Sequence, residues 1–359
     1  MIGRFISVAS LIIAAVISCR GSDLAALRPD QTIGSLRVAN LYADSNGQIV
    51  GAKFWESRSG APIYVLEIET VPQVFMWIDT PAQSNAGLPH SLEHLLAGKG
   101  TKGRYVSLLK EMRLSRSAAG TTDDFNLYSF SSGTGLDDFF EQFHAWLDAL
   151  YRPDFTDLEA EREFYHFGIS LDPTTRKKTL VEQGSVYDEM QAGQGAYRYY
   201  FELNKRVLGN SNPFGYYGGG EPAEMRQVTP AEIRQFHTEH YRLGPTTGFI
   251  FAVAPKDDVR QFLQRISTEL AEFTGSNKPQ GIPARSVAPK YSIQPAPDTE
   301  IATFPFPSNS ETDRGEVRFG WKPIRTRSQL DVKLLQLFFH AWRQIPALQV
   351  VHRQPQTRV

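Results

Sequence analysis

Cysteine is almost absent from this chain: there is one in 359 residues, at position 19. A single thiol excludes an internal disulfide framework, a cysteine-rich zinc site and an iron–sulfur cluster, each of which needs several. An excess of charge is missing too. The 38 basic side chains are matched by 39 acidic ones, for a net charge of −1. That balance argues against a nucleic-acid partner held by phosphate neutralisation. The apolar run from Phe5 to Ser18 has 14 residues, short of the roughly 20 that a membrane-crossing helix needs. No repeat of 20–50 residues is visible. The glycine run Gly218-Gly219-Gly220 lacks the Lys-Ser/Thr ending of a phosphate loop and reads as a turn.

With 41% hydrophobic and 21% charged residues, the chain has enough apolar material for a folded core. Its length fits two domains, or one large domain with an appendage. The apolar run follows Arg4 and ends Val16-Ile17-Ser18-Cys19, which fits residues 1–18 as a secretory signal. It resembles the lipoprotein box, in which Cys19 becomes a lipid-modified N-terminus; an ordinary signal beside an incidental cysteine is the alternative. Lipidation implies a bacterial cell-envelope location. Arg20 at the next position resembles lipoproteins sent to the outer membrane, facing the periplasm or the exterior.

From about Gly34 the pattern turns to strands, with Tyr64–Glu69 and Val74–Ile78 separated by a turn at Pro72. A helix is predicted over Gly87–Ala97, stopped by Gly98-Lys99-Gly100, then a strand over Phe125–Ser131 and a helix over Leu136–Tyr151. Further helices are expected at Pro230–Tyr241 and Val259–Phe273, with a strand at Gly248–Val253. Five prolines between Pro279 and Pro297 mark a linker over 276–298. It separates a domain over 19–275 from a partial second domain over 299–359, where two strands and a helix near Ser328–Ile345 are expected. About 60 residues are thin for an independent core.

Chemistry concentrates at residues 90–94, His-Ser-Leu-Glu-His. This H-x-x-E-H order is the inverted zinc-peptidase motif. On a helix His90, Glu93 and His94 share an arc of about 100°, while Leu88, Leu92, Leu95 and Leu96 face the other way. Two imidazoles at i and i+4 can converge on one zinc ion, with the carboxylate between them directed at the metal's open position. Two surface histidines on an amphipathic helix would give the same spacing, but not so clean a division between a polar and a leucine face. A third ligand is needed, and the stretch Val186-Tyr187-Asp188-Glu189-Met190 offers Glu189. Glu182 is seven residues earlier, two helical turns away on the same face. His144, His166, His237, His240, His340 and His352 show no ligand spacing.

HSLEH followed by YDEM, with Glu189 placed 95 residues after His94 (189 − 94), resembles the insulinase/pitrilysin metallopeptidases, with wording closest to their presequence-protease branch. The likeness continues through Asn210–Tyr217, the three glycines before Glu221-Pro222, and Ile233–Tyr241. It implies an α+β fold, an antiparallel-rich sheet covered by helices, and a zinc endopeptidase acting on unfolded peptides outside the cytoplasm. It implies His90, His94 and Glu189 as zinc ligands, Glu93 as general base, and Glu182 as a carboxylate behind a ligand. Asn126 falls where the family has an edge strand that binds extended peptides; an ordinary strand asparagine fits its sequence equally well. Family members are longer, and their second half supplies an Arg/Tyr pair with no counterpart here. A fragment that needs a complementary subunit, or a non-catalytic peptide-binding or assembly subunit, is therefore the alternative reading.

Overall fold

The computed structural model describes residues 23–112, 115–208, 213–255 and 257–274, with Leu334 alone beyond them. The leader, Cys19, the linker and the elements expected after it lie outside the described residues.

Eight strands form one sheet: β1 (Thr32–Ile33), β2 (Leu36–Ala43), β3 (Ile49–Glu56), β4 (Pro62–Glu67), β5 (Gln73–Asp79), β6 (Arg116–Thr121), β7 (Phe125–Ser131) and β10 (Thr247–Val253). Their order is β1-β2-β3-β4-β10-β5-β7-β6. Only the β4–β10 pairing is parallel; β10 runs antiparallel to β5 on its other side. In β5 the side chains of Val74, Met76 and Ile78 are buried and alternate with more exposed ones, the period of a sheet with one face on the core. The central strand β10 is buried almost throughout, so it reads as a continuous apolar run, Thr-Gly-Phe-Ile-Phe-Ala-Val.

The helices are α1 (Leu88–Gly98), α2 (Gly100–Met112), α3 (Leu136–Tyr151), α4 (Asp157–Phe164), α5 (Ser185–Leu208), α6 (Pro222–Met225), α7 (Pro230–His240) and α8 (Val259–Phe273). A separate hairpin of β8 (His166–Leu171) and β9 (Lys178–Gln183) precedes α5. Phe139 and Phe143 of α3 meet Phe251 of β10 and Phe262 of α8, with Phe143–Phe251 centroids 5.3 Å apart and Phe139–Phe262 centroids 5.8 Å apart. Such aromatic contacts contribute about 0.5–1.5 kcal/mol each beyond the area they bury. Capping boxes Thr156/Glu159 and Thr229/Glu232 start α4 and α7, satisfying amide groups that have no partner within the helix. No described helix is long and apolar enough to cross a membrane.

This is the expected α+β class, with an antiparallel-rich sheet and packed helices. The helix predicted over Gly87–Ala97 is α1, and it stops where the glycines suggested. The chain does not loop there, however. Lys99 is extended, Gly100 has a positive φ of 66°, and α2 begins at once. A second difference lies before α5. Gly184, at φ 151°, separates β9 from α5, so Glu182 is in a strand and not two helical turns before Glu189. A Cβ on Gly184 would meet the Phe164 carbonyl oxygen at 2.3 Å, which is why the break falls on a glycine.

Candidate metal centre

The site is built on α1, whose placement follows from its sequence. Gly87 enters at φ 74°, Pro89 suits the first turn, and Leu92, Leu95 and Leu96 are buried in the main core. Anchoring the leucine face turns His90, Glu93 and His94 together away from the core. His90 is 6% exposed, and the two imidazoles lie edge to face with centroids 4.7 Å apart. Single ligand atoms of His90, Glu93 and His94 lie within 4.8 Å of one another.

Each ring holds its outward nitrogen free for a ligand. His90 Nδ1 lies 3.1 Å from the Gly219 carbonyl oxygen, and His94 Nδ1 lies 3.0 Å from Glu163 Oε1. A carbonyl and a carboxylate only accept, so both rings donate from Nδ1 and leave the Nε2 lone pairs available. Glu189, near the start of α5, reaches both: its Oε1 is 3.8 Å from His90 Nε2 and its Oε2 is 3.5 Å from His94 Nε2. Ligands about 2.0–2.2 Å from a tetrahedral zinc would be about 3.4 Å apart. Both histidine–carboxylate separations are within a few tenths of an ångström of that spacing.

Glu93 is on the other side of this group, with Oε2 3.8 Å from His90 Nε2 and accepting from the Thr121 hydroxyl at 3.4 Å. Burial pushes the Glu93 carboxyl above the usual range, although His94 and the Thr121 hydroxyl pull it back. Burial lowers His90, reinforced by His94. His94 suffers the same desolvation, yet its hydrogen bond to Glu163 and the carboxylates around it raise it overall. Glu163 is itself pushed up by burial, but its bonds with His94, Lys99 and Ser185 outweigh this and hold it at about 2.

Two predicted residues occupy other places. Glu182 touches neither histidine. It forms a bidentate pair with Arg226 (2.5 and 2.9 Å) and accepts from the hydroxyls of Tyr165 and Tyr187 at 2.8 and 2.7 Å. It ties the end of the hairpin to α5 and the chain after α6 because Gly184 breaks the helical register that would have carried it to the histidines. Asn126 is fully buried on β7, one strand in from the edge. Its amide donates to the Pro89 carbonyl at 2.8 Å and to the Tyr241 hydroxyl at 2.7 Å, fixing the first turn of α1 from behind. No edge remains there for a peptide; the outer strand is β6.

The residues missed by sequence reasoning are the outer partners. Glu163 is separated from Glu189 by the β8–β9 hairpin and is 69 residues from His94, so no spacing announces it. Gly219 acts through its backbone. Its turn is fastened to the entry of α1 by Asn85, which donates to Glu224 Oε1 at 2.9 Å and accepts from the Tyr217 amide at 2.9 Å. His237 and His240 bond backbone carbonyls of Leu150 and Asp79, in keeping with their lack of ligand spacing.

The assembly, an H-x-x-E-H helix beside an antiparallel-rich sheet, resembles that of insulinase/pitrilysin-like metallopeptidases. No family model matches the chain. An uncharacterized protein of Saccharomyces cerevisiae is 27% identical over 296 residues, covering 80% of this chain and 28% of that protein. A chloroplastic/mitochondrial presequence protease 1 of Arabidopsis thaliana is 27% identical over 237 residues, covering 63% of this chain and 21% of its own length. The crystal structure of pitrilysin shares the fold with a TM-score of 0.50 at 12% identity, over 67% of this chain and 24% of pitrilysin. The chain thus resembles insulinase/pitrilysin-like metallopeptidases, and several of its relatives are named presequence proteases. It spans between about a fifth and a little over a quarter of the relatives' length.

Proposed function

We propose that this chain is a zinc-dependent endopeptidase domain that hydrolyses unfolded peptides. The observation that carries the reading is the convergence of His90 Nε2, His94 Nε2 and the Glu189 carboxylate, with Glu93 beside them and both rings oriented from behind. In this reading His90, His94 and Glu189 hold the metal, which when bound supplies Lewis acidity toward the scissile carbonyl and acidifies a water. Glu93 accepts the water's proton on its carboxylate and hands it to the leaving amine nitrogen. Its burial supports this role, since a raised carboxyl holds a proton more readily. Thr121 steadies the carboxylate from β6. Among the described residues β6 is the last strand of its sheet, and an extended peptide adding to that edge would run alongside Glu93. Backbone pairing of this kind accepts many sequences.

The remainder of the proposal concerns setting. Cys19 is lipidated and anchors the chain to the bacterial envelope, with the domain outside the cytoplasm; the apolar run before it supports this reading. Sequence beyond the segment shared with the relatives, or a complementary subunit, contributes oxyanion donors. One such donor is typically worth about 10²–10³ in rate.

The test is metal analysis of the purified chain together with cleavage of a quenched unfolded peptide. About one zinc per chain is expected, lost in His90→Ala and His94→Ala. Chelator-sensitive cleavage should disappear in Glu93→Gln while the metal is kept. Stoichiometric zinc in the doubly substituted His90→Ala/His94→Ala chain would overturn the reading. Cys19→Ala should abolish lipid labelling.

A further inference from the structure

We propose that Glu163 is the positioning residue of His94, and that Lys99 holds Glu163 in place for it. The inference rests on the zinc reading above and concerns how the site is tuned, not whether it exists.

The two imidazoles are alike on the ligand side and unlike behind. His90 donates to a neutral backbone carbonyl, Gly219 at 3.1 Å. His94 donates to a carboxylate, Glu163 at 3.0 Å. Glu163 is 7% exposed at the C-terminal end of α4, where a carboxylate without partners would be costly. It is not left so. Its second oxygen receives Lys99 Nζ at 2.6 Å. Lys99 is the residue on which α1 ends, its amide bonded to the Leu95 carbonyl. The chain of contacts therefore runs from the end of α1, through Glu163, back to His94 on the same helix.

Three consequences follow for His94. The Nδ1–H tautomer is enforced, so Nε2 always presents a lone pair. The ring cannot rotate about its Cβ–Cγ bond without breaking a charge-assisted bond. The negative partner makes the imidazole a stronger donor to a cation than His90 can be. Lys99 balances the carboxylate's charge while leaving one oxygen for His94.

The test uses the full chain and zinc alone, by competition with a chromophoric chelator, alongside thermal unfolding of the zinc-free proteins. Removing such outer partners typically lowers metal affinity about 10–100-fold. Glu163→Gln, whose amide oxygen can still accept from Nδ1, should fall at the weak end of that range, and Glu163→Leu at the strong end. Lys99→Met should weaken zinc less than Glu163→Leu does. In ¹⁵N-histidine spectra, His94 should lose its single Nδ1–H tautomer in Glu163→Leu. A purely structural role would lower the unfolding temperature and leave zinc affinity untouched, and that result in Glu163→Gln and Lys99→Met would overturn the proposal. His90→Ala serves as the separate control: retention of wild-type zinc affinity there would count against the metal reading itself.

Discussion

Gly87→Ala tests whether the backbone behind His90 matters as much as its side chain. Gly87 sits at φ 74°, where a residue with a Cβ costs roughly 1–2 kcal/mol. The added Cβ would also fall 2.9 Å from the Gly219 carbonyl oxygen and 3.0 Å from Gly220 Cα. Both neighbours are backbone, so the strain is relieved only if the Gly218–Gly220 turn moves outward. That turn carries the acceptor of His90 Nδ1. A retreat of a few tenths of an ångström stretches a 3.1 Å bond toward the limit of a useful one. The expected result is a loss of about 1–3 kcal/mol in stability together with a zinc affinity lowered on the order of tenfold. Chemical denaturation of the metal-free chain reads the first, and chelator competition the second. A destabilised Gly87→Ala chain with wild-type zinc affinity would refute the claim that the Gly219 carbonyl orients His90.

Three further outcomes are expected. Asn126→Leu removes the partner of the Pro89 carbonyl and the Tyr241 hydroxyl inside the core, and should cost about 2–4 kcal/mol. Peptide affinity measured on the surviving folded fraction should not change, since the side chain faces no edge. Glu182→Gln should leave zinc affinity at the wild-type level, because its partners are Arg226, Tyr165 and Tyr187; a marked loss would restore it to the metal site. Asp79 and Asp123 are each pushed up to about 6, by burial first and by Asp124 second. Their folded values exceed the unfolded ones, so their favourable contribution is full below about pH 4 and is lost as the pH rises through 6. Asp124→Asn should flatten that decline between about pH 4 and 7 in denaturation curves, and an unchanged slope would refute the assignment.

Much of the fold was legible because its helices are amphipathic. The ranges Leu136–Tyr151 and Val259–Phe273 read from periodicity are those of α3 and α8, and Phe125–Ser131 is that of β7. The weakly patterned elements were not seen. Helix α2 begins Gly-Thr-Lys-Gly and buries few side chains. The β8–β9 hairpin exposes Phe167, Ile169 and Leu180, so alternation carries no information about its inner face. At the site, His90, Glu93 and His94 came together as their helical spacing dictates, and Glu189 joined them as the family likeness implied. Glu182 was misplaced because the helix was extended back across Gly184, whose break depends on contacts with a distant carbonyl. Asn126 was given the right strand but the wrong place in the sheet, since strand order is a tertiary fact. Glu163 was invisible for the same reason: its proximity to His94 is created by helix packing alone.

The insertion of β10 has a consequence for how the molecule comes into being. Strands β1–β4 lie on one side of it and β5, β7 and β6 on the other, so the strip that joins the halves is synthesised about 170 residues after β5 (247 − 79 = 168). Until Val253 has left the ribosome, the strand carrying Thr121 and the strands of the first hairpins have no common centre. Pairing across such separations is slow, because loop closure must precede any gain from contact. During that interval the facing edges of β4 and β5 stay open to other chains. A nascent chain arrested before Thr247 should therefore contain helix α1 and its histidines but be open to proteases, and protection of the HSLEH segment should appear only as β10 closes the gap.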